Sequence, residues 1–146
     1  MKGVAQILKG KPSTVVHSIR PNDTVYDAVK KMAEQNIGAL LVMDGGEVVG
    51  IVTERDYARK IVLADRSSKE TLVSVIMTPH VLCVSPQQTT EECMAIMTEN
   101  RIRHLPVMDK GRLIGLVSIG DLVKDIISEQ EFVIRQLEHY ITGDRA

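Results

Sequence analysis

Apolar residues along this chain change spacing in a fixed order, and the order occurs twice. Val25, Ala28, Val29, Met32 and Ala33 recur about once per helical turn, which predicts an amphipathic helix. Asp23 or Thr24 can cap its start, and Asn36 stops it. The run 39–43 is continuously apolar, as a buried strand is. Asp44-Gly45-Gly46 reads as a tight turn, because glycine accepts positive φ, and 47–53 returns as the second strand of a hairpin. A second helix is predicted from about 53 to 64, and polar 65–69 as a linker. Upstream, 4–8 reads as a short helix ended by Gly10 and Pro12, and 14–19 as a β-branched strand.

The second half repeats this grammar. Residues 19–61 lie on 84–126 without a gap, at a constant offset of 65. Pro21 falls on Pro86, Thr24 on Thr89, Met32 on Met97, Ile37 on Ile102, Asp44 on Asp109, Gly50 on Gly115 and Asp56 on Asp121. The repeat predicts a strand at 81–84, a helix at 90–99, strands at 105–108 and 112–118, and a last helix from about 119 to as far as 141. The fold class is therefore α+β, with one unit of strand, helix, strand, strand and helix used twice about a pseudo-two-fold. Each half, of about 60 residues, is small for a core of its own, so the halves are expected to share one. Candidate boundaries are 10–65 and 74–128 for the two copies and 129–146 for a helical extension.

Composition narrows the function. The chain has 146 residues, of which 44% are hydrophobic and 25% charged, with a net charge of −1 and 3% aromatics. A near-neutral chain without Trp lacks both the basic face and the stacking platforms of nucleic-acid binders. The start of the chain has too short an apolar run for a signal peptide, and no run approaches a membrane span. Cys83 and Cys93 read as free, buried thiols, so the default location is cytoplasmic. The four histidines show no i,i+4 pairing and no cysteine partner, so no metal site is expected.

One constellation carries candidate chemistry. Gly50-Ile51-Val52-Thr53-Glu54-Arg55-Asp56 matches Gly115-Leu116-Val117-Ser118-Ile119-Gly120-Asp121. Each is an apolar strand that delivers a hydroxyl to a helix start, with a carboxylate three residues on. One reading is a capping box, in which hydroxyl and acid satisfy the free amides of the first turn. The other is a nucleotide grip: amides, dipole and hydroxyl on a phosphate, and the acid accepting from a ribose diol. The pattern alone leaves both open.

With Ile37-Gly38-Ala39-Leu40-Leu41-Val42 and Ile102-Arg103-His104-Leu105-Pro106-Val107 leading into these motifs, the chain resembles a tandem pair of cystathionine β-synthase (CBS) domains over roughly residues 10 to 128. The resemblance implies two β-α-β-β-α repeats and a regulatory module for adenosine-containing ligands: AMP, ADP, ATP, NAD or S-adenosylmethionine. It also implies clefts that each use both halves. One would take Thr53, Arg55 and Asp56 with Thr78, Val81, Ile102, Arg103 and His104. The other would take Ser118 and Asp121 with Thr14, Val16, His17, Ile37, Gly38 and Ala39. Gly120 stands where Arg55 stood and Gly38 where Arg103 stood, so the Asp56 site is expected to take the more highly charged ligand.

No nucleophile–base pair, metal cluster or P-loop is present in the sequence, so the chain reads as a non-enzyme without a catalytic cofactor. Its ligand state must then pass to another protein, as yet unknown. The alternative is a structural or dimerisation module with no small ligand. The last helix carries Leu122, Ile126, Val133, Leu137, Tyr140 and Ile141 as an apolar stripe longer than its counterpart. That stripe packs either on the protein's own core or against a second copy; with the resemblance it favours a homodimer.

Overall fold

The structure, a computed structural model, describes residues 3–11 and 15–142. Two compact units emerge: Val15–Leu82, and Met1–Thr14 together with Cys83–Ala146. We name them the Asp56 unit and the Asp121 unit after the acid each contains.

In the Asp56 unit, β1 (Ser18–Ile19) runs parallel to β2 (Ala39–Asp44), which pairs antiparallel with β3 (Glu47–Thr53). Between β1 and β2 lies α2 (Val25–Gln35). Its N-cap Thr24 accepts from the Asp27 N–H, and Asn36 ends it in the left-handed region at φ 55°. After β3 comes α3 (Glu54–Tyr57), which continues as a π-helical turn over Ala58–Val62. Short α4 (Val73–Ile76) closes the unit. The sequence pattern missed α4, since a four-residue segment with two valines and an isoleucine carries no helical period.

The Asp121 unit begins with α1 (Val4–Gly10) and resumes with α5 (Thr90–Asn100), β4 (His104–Asp109), β5 (Arg112–Ser118) and α6 (Ile119–Thr142). The strand expected at 81–84 forms only at Val84. Val84 N–H donates to the Pro106 carbonyl (2.9 Å) and its carbonyl accepts from Met108 N–H (2.8 Å). In the other unit Leu41 N–H donates to the His17 carbonyl. Pro106 holds the position of Leu41 and has no N–H to give, which shortens the pairing.

Each unit has its own buried cluster rather than part of a shared core. Ile19, Val25, Ala28, Met32, Leu40, Val42, Val52, Ile61, Val73 and Ile76 form one. Val4, Ile7, Val84, Cys93, Met97, Leu105, Val107, Val117 and Leu122 form the other. The units reach this size because short helices cross the repeat boundaries. The helix before the second repeat, α4, packs on the first repeat, and the helix before the first, α1, packs on the second.

Glycines at equivalent positions allow both approaches. A Cβ at Gly50 would meet Met77 Sδ at 2.7 Å and the Thr78 carbonyl at 3.0 Å, and one at Gly115 would meet Leu8 Cδ2 at 2.7 Å. Beyond Ile126 the apolar stripe of α6 is exposed, including Phe132, Val133, Leu137, Tyr140 and Ile141. Among the described residues, no helix is long and apolar enough to cross a membrane.

Candidate functional site

Both hydroxyl–acid motifs sit at a strand-to-helix turn, where β3 runs into α3 and β5 into α6. In the Asp56 unit the turn is a complete capping box. Asp56 Oδ2 accepts from Thr53 N–H (2.9 Å) and from Thr53 Oγ1 (3.1 Å), while Asp56 N–H donates to Thr53 Oγ1 (3.2 Å). In the Asp121 unit Ser118 N–H donates to Asp121 Oδ2 (2.9 Å) and Asp121 N–H to Ser118 Oγ (3.2 Å). A hydroxyl and an acid three residues apart at a first turn produce this geometry by themselves.

Each acid does more than cap. Asp56 Oδ1 pairs with Lys60 Nζ at 3.1 Å, and the same ammonium donates to the Ile76 carbonyl at the end of α4 (2.8 Å). Asp121 Oδ2 pairs with Lys11 Nζ at 2.9 Å, and that ammonium donates to the Leu116 carbonyl in β5 (2.9 Å). Burial acts to raise the Asp121 pKa, but the Ser118 N–H and the Lys11 ammonium outweigh it and hold the carboxyl below its ordinary 3.8. His104 is pushed below 6.5, chiefly by burial, with Lys11 and Arg103 adding to the push and Asp121 opposing it. Asp121 and Lys11 line a recess of about 180 Å³ with Gln6, Lys124, Asp125 and Ser128.

The structure brings the remaining sequence-derived residues together by repeat. Gly38 O accepts from Glu54 N–H (3.1 Å) and Ala39 pairs with Thr53, so this pre-strand segment lies against the Asp56 turn. Ile37 and Gly38 also line a groove of about 540 Å³ with Val29, Glu54 and Tyr57. Thr78 exchanges two backbone bonds with Ile51 (3.0 and 2.8 Å), and the His17 carbonyl is bound to Leu41. Val16 and Val81 belong to the same unit. In the Asp121 unit Arg103 O accepts from Ile119 N–H (2.9 Å) and His104 pairs with Ser118, with Ile102 just before them. Thr14 lies outside the described residues.

Arg103 and His104 lie beside Asp121, and Lys11 adds a cation there, so the loss of an arginine at Gly120 does not leave this turn without positive charge. Lys11 and Lys60 are the residues that sequence reasoning missed. Lys60 follows Asp56 by four, a spacing that puts the pair on one helix face. Lys11 is 110 residues from its acid, and no local pattern could have joined them.

Comparison with known proteins agrees with this architecture. The sequence profile of the CBS domain matches residues 4–63 and 73–128. The mitochondrial CBS domain-containing protein CBSX3 of Arabidopsis thaliana is 47% identical over 127 residues. That match takes in 84% of this chain and 62% of the relative, so the chain spans less than two thirds of that protein's length. A protein with CBS domains from Burkholderia ambifaria MC40-6, ascribed to signal transduction, superposes with a TM-score of 0.86 at 62% identity, over 88% of this chain and 96% of that one. The crystallised CBS domain NE2398 gives a TM-score of 0.81 at 52% identity, over 86% and 98%. With two profile matches that follow the internal repeat and a strand-to-helix turn that occurs in both, the chain belongs to the CBS domain family and carries that domain twice.

Proposed function

We propose that this chain is a non-catalytic regulatory module that binds adenosine-containing nucleotides at its two hydroxyl–acid turns. Asp56 and Asp121 accept from the ribose diol. Thr53 and Ser118, with the first-turn amides, face the phosphate, and Arg55 on one turn and Arg103 on the other supply positive charge. The base lies along the backbone of the pre-strand segments, and we assign each segment to the acid of its own repeat: Ile37–Gly38–Ala39 with Asp56, Ile102–Arg103–His104 with Asp121. Val16 and Val81 add apolar surface on the base side, with His17 and Thr78 near them in the chain. AMP, ADP, ATP, NAD and S-adenosylmethionine share the adenosine these contacts recognise.

The observation that carries this reading is that each carboxylate holds a cation in addition to its cap. A capping acid requires only the backbone of its own turn, whereas both acids here also offer an oxygen to an outside donor. The complete capping box at Thr53–Asp56 favours a second reading, a structural module with no small ligand. The output of a regulatory module is a change in what it touches. A ligand does this only by binding two arrangements with different affinity. The exposed stripe of α6 suits a second copy of the chain, and the regulated protein is a separate partner.

Native mass spectrometry separates the two readings. Titration with AMP, ATP, NAD and S-adenosylmethionine should give discrete adducts of one or two ligands per chain. A chain that takes up none of the four at millimolar concentration supports the structural module instead.

A further inference from the structure

The repeat makes a comparison that neither half offers alone. At the offset of 65, Lys60 falls on Asp125 and Lys11 falls on Ile76. The lysine that holds Asp56 therefore has an acid as its counterpart, and the lysine that holds Asp121 has an isoleucine. Both donors changed between the copies, yet each acid keeps an ammonium within 3.1 Å. In the Asp56 unit the cation comes from the helix that the acid itself starts. In the Asp121 unit it comes from the residue that follows α1.

Lys11 has a second attachment that explains what it holds. The Leu116 carbonyl it binds is the counterpart of the Ile51 carbonyl, which in the other unit accepts from the Thr78 N–H. Lys11 thus ties the end of α1 to β5 and to Asp121 at one point. With Lys11 in place the recess beside Asp121 measures about 180 Å³, less than the roughly 300 Å³ at which ligand clefts begin. A diol that takes Asp121 Oδ2 must displace an ammonium already bound there.

We infer that Lys11 is a ligand-displaced latch: a nucleoside diol that occupies Asp121 expels the Lys11 ammonium and loosens α1 from β5. Lys60 competes for Asp56 in the same way, but its release breaks a bond to the Ile76 carbonyl at the end of α4 instead of one from α1. The two turns therefore report differently, and the Asp121 turn couples ligand to the N-terminal helix. Competition also sets affinity, since a site that must first expel its own lysine binds more weakly by the fraction of time the lysine is away. This inference rests on the nucleotide reading proposed above.

The test is hydrogen–deuterium exchange of the full chain, alone and with adenosine, AMP or ATP, in wild type, Lys11→Met, Lys11→Gln and Asp121→Asn. In wild type a bound ligand should speed exchange of the α1 amides about fivefold, the scale expected when one part-buried ion pair is lost. Lys11→Met and Lys11→Gln should show that faster α1 exchange without ligand, no further change with it, and severalfold tighter binding. Asp121→Asn should lose the ligand response in α1. The latch is overturned if ligand binds wild type while α1 exchange stays the same or slows, which leaves the nucleotide reading standing, or if binding survives Asp121→Asn unchanged, which also removes Asp121 from the ribose and leaves the nucleotide reading to the Asp56 turn alone. Absence of binding by all three compounds overturns the latch and the nucleotide reading together.

Discussion

Replacing Asp56 by alanine separates a cap from a ligand group, because the two roles differ in what they leave behind. The substitution removes the acceptor of the Thr53 N–H and Oγ1 bonds, a loss of about 1 kcal/mol for a helix N-terminus. It also removes the pair with Lys60, whose side chain is 43% exposed, which adds about 0.5 kcal/mol after solvent screening. The variant should lose about 1.5 kcal/mol, which lowers Tm by roughly 6–12 °C at the 4–8 °C per kcal/mol of a unit this size. That loss occurs under either reading. Wild type with an adenosine ligand at 100 times its Kd should gain about 2.7 kcal/mol for each occupied site. Asp56→Ala should lose the part of that gain that belongs to its own turn. Differential scanning fluorimetry of both proteins with AMP, ATP, NAD and S-adenosylmethionine reads both quantities. A variant that melts early but shifts with ligand as far as wild type would refute the assignment of Asp56 to the ribose and leave it as a cap.

Three further expectations follow from the same geometry. Gly50→Ala drives a Cβ against the Thr78 backbone carbonyl, whereas Gly115→Ala meets only the tip of Leu8; urea denaturation should show a loss of about 1–3 kcal/mol for the first and a clearly smaller loss for the second. Asp121 has a folded pKa below its unfolded 3.8, so its stabilisation is complete above pH 4 and lost as pH falls through the folded value. The stability gap between wild type and Asp121→Asn should accordingly stay open from pH 7 to 5, widening if His104 takes a proton beside the charged Asp121, and close only below 4, and a gap that closes between 7 and 5 would contradict the depressed carboxyl. On α6, Val133→Glu with Leu137→Glu should shift the sedimentation coefficient to that of a monomer if a second copy covers the stripe, and leave the melting curve of a dilute sample unchanged.

The sequence carried the local elements and lost the long-range ones, for identifiable reasons. The hairpins were legible because Gly45, Gly46 and Gly111 mark turns at positive φ, and the helix starts because Thr24 and Thr89 cap them. The register at 81–84 failed on one atom, the amide hydrogen that Pro106 lacks. The exchange of α1 and α4 between repeats left only the glycine pair Gly50 and Gly115 as a trace, and glycine in a strand has several meanings. At the candidate site, both hydroxyl–acid turns were read directly from spacing. Their lysines were not, since Lys11 reaches Asp121 through the fold alone and breaks the symmetry of the repeat.

Amide shifts in a ¹H–¹⁵N spectrum, followed while an adenosine nucleotide is added to the full chain, test the central claim most directly. Saturable movement should appear first at residues 53–56 and 118–121, with residues 37–39 and 102–104 following the same isotherm. If those amides stay still at millimolar AMP, ATP, NAD and S-adenosylmethionine, the two acids serve only their helices.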